Sequence, residues 1–414
     1  MYAADTAVKV IGSSDIGTEC GVCGAIDVST LWDLPDLPLS ECFGAYDPEF
    51  PSFDQALQQC DACGHMQLRK CLQPSDLYTQ SEYAYRSTKA TGTPLRVKSF
   101  TEFCLEQVDS NEGLSVVDIG GNDQALLNAF SVETERLELI DPIRMADNGK
   151  IIDGVVINGC FVEEMNLDSD LRYRPSLVVC AHTLEHIEKP IYFLRKIFQE
   201  CPPNCVFVFE VPCASRMIEN ARFDAIFHQH LHYFSLRDLE RLITRAGGMV
   251  TSYRYNAQPT LGGSIMVACK SHVASGKNNK TKLYVDHDAM VNVEALSRNF
   301  FEKKRKFQNF MKNLRAQIIE RDGSKLYGYG ASLMLPNLLY HLDLPAETFS
   351  LVIDDDQQKD GWQYKNLNLS IRFCDSEEII RKQKILVTSV ENANILYERA
   401  RNFEPERIYL PVIK

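Results

Sequence analysis

No stretch of the 414-residue chain approaches the roughly 18 unbroken apolar residues that cross a bilayer, so no membrane partner is expected. Its first residues, Met1-Tyr-Ala-Ala-Asp-Thr, have neither a basic leader nor an apolar core, so the cytoplasm is the expected compartment. Blocks of lysine and arginine are missing as well, and a formal charge of -12 opposes phosphate backbones, which argues against nucleic acid as a partner. Internal repeats and low-complexity stretches are also absent. What remains is an ordinary soluble composition, 45% hydrophobic and 24% charged, in a chain longer than the roughly 250–300 residues at which single cores stop growing. Two or three domains are therefore expected.

Fourteen cysteines in so long a chain point to metal ligands and buried thiols rather than to a disulfide framework. Two pairs stand out, Cys20-Gly-Val-Cys23 and Cys60-Asp-Ala-Cys63, each followed by a glycine, Gly24 or Gly64, that relaxes the turn. Two residues between thiols let both sulfurs face one ion, and two such turns supply the four thiolates of a closed structural Zn2+ site. Incidental thiols or a redox pair fit the same spacing, and the 36-residue spacer between the pairs is long for a zinc ribbon. A closed site leaves no position for water or substrate, so such a zinc stabilises the fold only.

From Leu114 an apolar run leads through Asp118 to a glycine turn, Gly120-Gly121-Asn122-Asp123, and then to a helical pattern. Strand, turn and helix start together bring backbone amides close to a polar ligand. About twenty residues on, Leu137–Ile140 ends at Asp141, placed to accept ribose hydroxyls, so an adenosine-bearing cofactor fits. Positions 120 to 125 read Gly-Gly-Asn-Asp-Gln-Ala and lack the three-glycine dinucleotide pattern, which disfavours a nicotinamide. Further strands are expected at Ser176–Ala181 and Cys205–Pro212, separated by His182-Thr-Leu-Glu185-His186 and a helix from Ile191. Alternating strands and helices imply a mainly parallel sheet with its crevice at the carboxyl ends of the strands. Asp118, Asp141, His186 and Glu210 all fall at or near that edge, although each alone could be a satisfied polar residue at a strand end.

The densest chemical feature is Phe227-His228-Gln229-His230-Leu231-His232, followed by Ser235 as N-cap of an amphipathic helix, Leu236–Ala246. Alternation would put the three imidazoles on one face of a strand, where they could bind a metal, but no carboxylate accompanies them in sequence. The loop setting is equally compatible with separate roles, and an imidazole general base is favoured over simple packing and over a metal.

The order of these parts resembles the sugar C-methyltransferases that act on nucleotide-linked keto-deoxysugars. The resemblance runs through the CxxC pairs, the Tyr78–Tyr85 stretch, the glycine turn, Leu184-Glu-His186-Ile, Glu210-Val-Pro and the histidine cluster. It continues into Lys325-Leu-Tyr327-Gly328-Tyr-Gly330, Val352-Ile-Asp354-Asp355-Asp356 and Tyr409-Leu-Pro411. It implies an α/β chain of three parts: a small zinc-binding domain (1–78), a central Rossmann-like class I methyltransferase domain (79–275), and a helical linker with a second Rossmann-like domain (276–414). The cofactor implied is S-adenosylmethionine, held by Asp118, Gly120, Gly121, Asn122, Asp123, Asp141 and His182. His230 is implied as the base, His186 and Tyr83 as holders of substrate or enolate oxygen, and Gln229 as a further site residue. The family commonly has Tyr-His-Glu-His where this chain has Phe227-His228-Gln229-His230, and glycine where it has Gln124. One hydroxyl and one carboxylate are thereby lost, so methyl transfer to oxygen or nitrogen of a sugar-like metabolite, or a non-catalytic binding role, stays open. The C-terminal domain is expected to hold the nucleotide end through Tyr327 and Asp354–Asp356, or else to serve packing alone, and a monomer is favoured.

Overall fold

The computed structural model describes residues 11–40, 43–74, 77, 93–108, 113–130, 134–256, 260–272, 292–319, 325–374 and 381–413. Tyr83, the rest of the Tyr78–Tyr85 run and residues 273–291 around the expected domain boundary lie outside them.

The N-terminal strands are β1 (Ser13–Asp15), β2 (Val28–Pro38), β3 (Ser52–Cys60), β4 (Met66–Leu68) and β5 (Lys70–Leu72). Antiparallel β2 and β3 form a long hairpin, Val28 opposite Cys60 and Pro38 opposite Ser52, and β4 continues the sheet on β3 while β1 pairs with β5. That hairpin fills the spacer between the cysteine pairs, and its base returns the chain to where it left.

The central sheet is built from β6 (Leu114–Ile119), β7 (Thr134–Ile140), β8 (Ile151–Ile152), β9 (Val155–Asn158), β10 (Leu177–Ala181) and β11 (Val206–Pro212). After β12 (His232–Tyr233), which pairs with β4 instead, β13 (Gly248–Tyr255) and β14 (Ser264–Ser271) complete it. Its order is β13-β14-β11-β10-β6-β7-β9-β8, with β11, β10, β6, β7 and β9 parallel and β14 antiparallel to β11. Runs such as Leu177-Val-Val-Cys and Val206-Phe-Val-Phe are what parallel strands covered on both faces require. One face buries Phe100 and Phe103 of α1 (Thr93–Leu105) and Leu127 of α2 (Ala125–Phe130). The other buries Phe193 and Leu194 of α3 (Pro190–Glu200), and, beyond α4 (Ala214–Glu219), Leu239 and Leu242 of α5 (Leu236–Ala246). Each such side chain contributes about 1.5–3 kcal/mol on burial.

A long helix, α6 (Val293–Ile319), leads to a six-stranded sheet of β15 (Leu326–Tyr329), β16 (Phe349–Asp354), β17 (Gln363–Tyr364), β18 (Leu367–Phe373), β19 (Lys384–Val387) and β20 (Arg407–Tyr409). The order is β17-β18-β16-β15-β19-β20, parallel except for β17, with α7 (Leu335–Leu342) and α8 (Ala393–Arg401) between strands. The parts meet around the histidine stretch. Asn337 of α7 donates to the carbonyls of Asp224 and Ile226, the latter at 3.1 Å, and Tyr340 Oη donates to Pro35 O at 3.0 Å. Among the described residues no helix is long and apolar enough to cross a membrane.

Candidate active site

At the carboxyl end of β6 the chain turns sharply, Gly120 N donating to Ile140 O at 2.8 Å, so that the glycine turn lies over the end of β7. A Cβ on Gly121 would stand 2.7 Å from Asp118 Oδ2 and 2.8 Å from Leu139 Cδ1, so no larger residue fits without a shift. Asn122 and Gln124 both take left-handed backbone (φ 49 and 66), which explains the family's preference for glycine at 124. Gln124 is held there by Nε2 donating to Ile152 O at 3.2 Å. Asp141, expected to face ribose hydroxyls, uses Oδ2 to accept Asn122 N at 2.8 Å and Oδ1 to accept Ile143 N at 2.9 Å, so part of its capacity shapes the turn. Asp118 is wholly buried, and burial, followed by the neighbouring Asp141 charge, pushes its carboxyl up to about 8. Its Oδ2 meets no hydrogen-bond partner among the described residues, a buried polar atom beside the turn that a polar cofactor can satisfy. Asp123 stands in the same turn.

The three histidines do not share one strand face. His228 Nε2–H donates to Leu37 O at 2.9 Å, toward the N-terminal hairpin. His232 lies in β12, its Nδ1 3.2 Å from His65 Nε2, with the two rings stacked at 5.4 Å. His230 alone joins the crevice, edge-on to His186 at 4.8 Å and close to Phe227 at 4.1 Å between ring centroids. Two contacts fix this placement: Leu231 N donates to Glu185 O at 2.9 Å, and Thr183 fills the space beside Gly120. The histidine stretch, the Leu184–His186 turn after β10 and the glycine turn therefore form one edge.

His186 Nδ1–H donates to the Gln229 carbonyl at 2.7 Å, and the His182 backbone also bonds this ring. The side chain of Gln229 points elsewhere, its Oε1 accepting Ser40 Oγ at 3.3 Å and its Nε2 donating to Ser40 O at 3.2 Å. His182, expected on the cofactor side, stands between two acids: its Nδ1 is 3.3 Å from Glu185 Oε1 and its Nε2 3.8 Å from Glu210 Oε1. Glu210 in turn accepts Ser264 Oγ at 2.5 Å and Asn256 Nδ2 at 2.9 Å. A carboxylate does accompany His230 after all, contrary to the reading of the stretch in isolation: Glu185 Oε1 lies 3.9 Å from His230 Nε2. Burial pushes Glu185 up to about 7 and His182 down to about 4; it also lowers His186 and drives His230 well below the usual imidazole range. All three imidazoles are thus neutral near pH 7 and able to accept a proton. Glu185, His186 and His230 each offer an atom within 4.8 Å of the others, close enough to hold a cation.

The four paired thiols meet in a second cluster. Cys20 and Cys63 sulfurs are 3.7 Å apart and those of Cys23 and Cys60 3.4 Å, near the edge of about 3.8 Å expected for four sulfurs about 2.3 Å from one zinc. Gly24 and Gly64 take φ of 75° and 82°, closing each knuckle with an amide donated to Cys20 O and Cys60 O at 2.8 Å. Hydrogen bonding among the thiols pushes Cys63 and Cys20 up and Cys23 down, a crowding that one shared cation relieves.

The C-terminal sheet repeats the central turn chemistry: Asp354 Oδ2 accepts Ala331 N at 2.6 Å just after Gly330, as Asp141 accepts Asn122 N. Lys359 Nζ stands 3.1 Å from the same Asp354 oxygen. Tyr327, expected to face a nucleotide, is instead buried in the core beside Ile353 and Ile385. Asp355 accepts Tyr329 Oη at 2.9 Å and pairs with Arg399, while Asp356 caps the turn after it through Gln358 N at 3.0 Å.

Residues 91–253 match a family described as a methyltransferase domain. Over 386 residues the chain is 27% identical to the C-methyltransferase NovU of Streptomyces niveus, covering 89% of this chain and 83% of that one. Among solved structures, an S-adenosylmethionine-dependent methyltransferase of Leishmania major is similar over 43% of this chain and 72% of its own, at 14% identity and a TM-score of 0.34. Magnesium protoporphyrin IX methyltransferase of Synechocystis is similar over 44% and 80%, at 11% identity and a TM-score of 0.31. The chain is a methyltransferase by its central domain, residues 91–253, and is similar to a C-methyltransferase along most of its length.

Proposed function

We propose that this methyltransferase places its methyl group on the carbon beside the ketone of a nucleotide-linked deoxysugar, with His230 as general base. The observation that carries the reading is a neutral, buried imidazole, His230, at the same sheet edge as the glycine turn. S-adenosylmethionine supplies an electrophilic methyl, and the chain's own residues must hold the acceptor, exclude water and remove one proton. Asp118, Gly120, Gly121, Asn122, Asp123 and Asp141 form the turn that would hold the cofactor, and His182 lies at the end of the neighbouring strand. His230 takes the proton from carbon, a service worth about 10²–10⁴ in rate, and His186 beside it helps to hold the substrate oxygen. Positioning acceptor and methyl donor in one closed crevice supplies much of the remainder.

The division at 78/79 and 275/276 is part of this proposal, with the four thiols of the first part holding one structural Zn2+. The third part, through the Gly330 turn and Lys359, is suited to the nucleotide. The experiment is incubation with methyl-13C-labelled S-adenosylmethionine and a panel of nucleoside-diphosphate keto-deoxysugars, read by NMR. A product methyl coupled to a ring carbon supports the reading. A methyl with the chemical shift of an ether or amine moves the reaction to oxygen or nitrogen, an outcome that the loss of Tyr and Glu at positions 227 and 229 would then explain. No transfer to any member of the panel contradicts the proposal.

A further inference from the structure

Taking a proton from carbon leaves a positive charge on His230, whose side chain is only 4% exposed, and a buried cation without a counter-charge is costly. The acid that the resembled family carries next to the base is Gln229 here, which cannot be charged and whose amide is occupied by Ser40. Another carboxylate stands in reach. Among the described residues Glu185 is the only acid within 4 Å of His230; it has no exposed surface, and neither of its oxygens meets a hydrogen-bond partner. Its backbone is locked to the histidine stretch from both sides, by Leu231 N on Glu185 O and by the His186 ring on Gln229 O.

We propose that Glu185 is the positioning residue of the base, resting on the reading of His230 above. Its carboxylate holds the imidazole with Nε2–H toward Oε1, leaves Nδ1 to receive the substrate proton, and balances the imidazolium that results. The C–H bond beside the ketone breaks, its electron pair forms the enolate, and its proton goes to His230 Nδ1. The enolate carbon then bonds the methyl as the sulfonium C–S bond breaks and returns its pair to sulfur, so that one proton is left on the His230–Glu185 pair for release to solvent. The present 3.9 Å separation closes to hydrogen-bond length by a movement of about 1 Å, the kind of tightening catalytic contacts undergo when substrate binds. His182, 3.3 Å from the same oxygen, neighbours the carboxylate while His230 is neutral. A carboxylate that orients an imidazole and stabilises its cation, without itself touching substrate, acts through the base alone.

The test compares wild type, Glu185→Gln and Glu185→Asp in the full chain. Thymidine diphosphate-linked 4-keto-6-deoxyglucose is the probe, and deuterium uptake from D2O beside the ketone and methyl transfer are measured together. Glu185→Gln should lose roughly 10²-fold in exchange and kcat, with KM and cofactor affinity by calorimetry unchanged, and Glu185→Asp should recover most of the loss. Exchange by Glu185→Gln at the wild-type rate overturns the inference. So does loss of cofactor binding and thermal stability in both variants alike, which marks a structural role. If wild type itself neither exchanges nor methylates the probe, the base reading falls and the inference with it, an outcome distinct from the other two.

Discussion

At the scale of single residues, burial decides protonation. His182, His228 and His341 are lowered to about 4 and His232 to about 3 by desolvation, while an unfolded chain titrates them near 6.5. Between about pH 4 and 6.5 the unfolded state therefore binds more protons, and acidification removes stability. Asp118, raised to about 8, acts in the opposite sense, since the folded state holds its proton up to that pH and stability falls as the pH rises toward it. Replacing His228 by Asn should leave the donor to Leu37 in place and make the urea midpoint less sensitive to pH. Wild type should lose up to about 2 kcal/mol more than the variant between pH 7 and 5. Gly121→Ala, which forces a Cβ against Asp118 and Leu139, should weaken S-adenosylmethionine binding roughly tenfold or more by calorimetry. The cysteine pairs, the glycine turn, Asp141 and the histidine stretch stand out in sequence because each is a local pattern with a chemical meaning. The closeness of Glu185 to His230 is not such a pattern, since the two lie on different loops and only the closing of Leu231 onto Glu185 brings them together.

At the scale of elements, α5 shows how far local chemistry reaches. Its bounds, Leu236–Ala246, follow from a capping box in which Ser235 Oγ accepts Asp238 N at 3.3 Å and Asp238 accepts Ser235 N at 2.7 Å, and from Gly247 at φ 94°. Ser235→Ala should cost about 1 kcal/mol in denaturant unfolding, and because α5 follows directly on β12 it should also slow turnover. β6, β10 and β11 were equally legible, as unbroken apolar runs in a parallel sheet. β12 was not: His232–Tyr233 is a strand only because Met66 and Gln67 supply its partner edge, a pairing that no local periodicity encodes. The histidine alternation that looked like one strand face is split for the same reason, with each ring drawn to a different neighbour.

At the scale of the whole molecule, the order of three parts could be read from motif order, but their contacts could not. The N-terminal sheet reaches the site through β12, and a Cβ on Gly21 in the first cysteine knuckle would stand 2.5 Å from His232 Cε1. A zinc there was expected to affect stability alone, yet this contact predicts more. Mass spectrometry should find one zinc per chain, and chelation should lower the unfolding temperature and turnover together, while a fall in stability without any kinetic change would return the zinc to a purely structural role. The central claim is that His230 removes a proton from carbon at the crevice formed by the glycine turn and the Leu184–His186 turn. Its most direct test is deuterium uptake beside the ketone of a nucleotide-linked keto-deoxysugar, without S-adenosylmethionine, in wild type and His230→Ala. Uptake by wild type and none by a variant that still binds the cofactor is the predicted result; uptake at equal rates in both would contradict it.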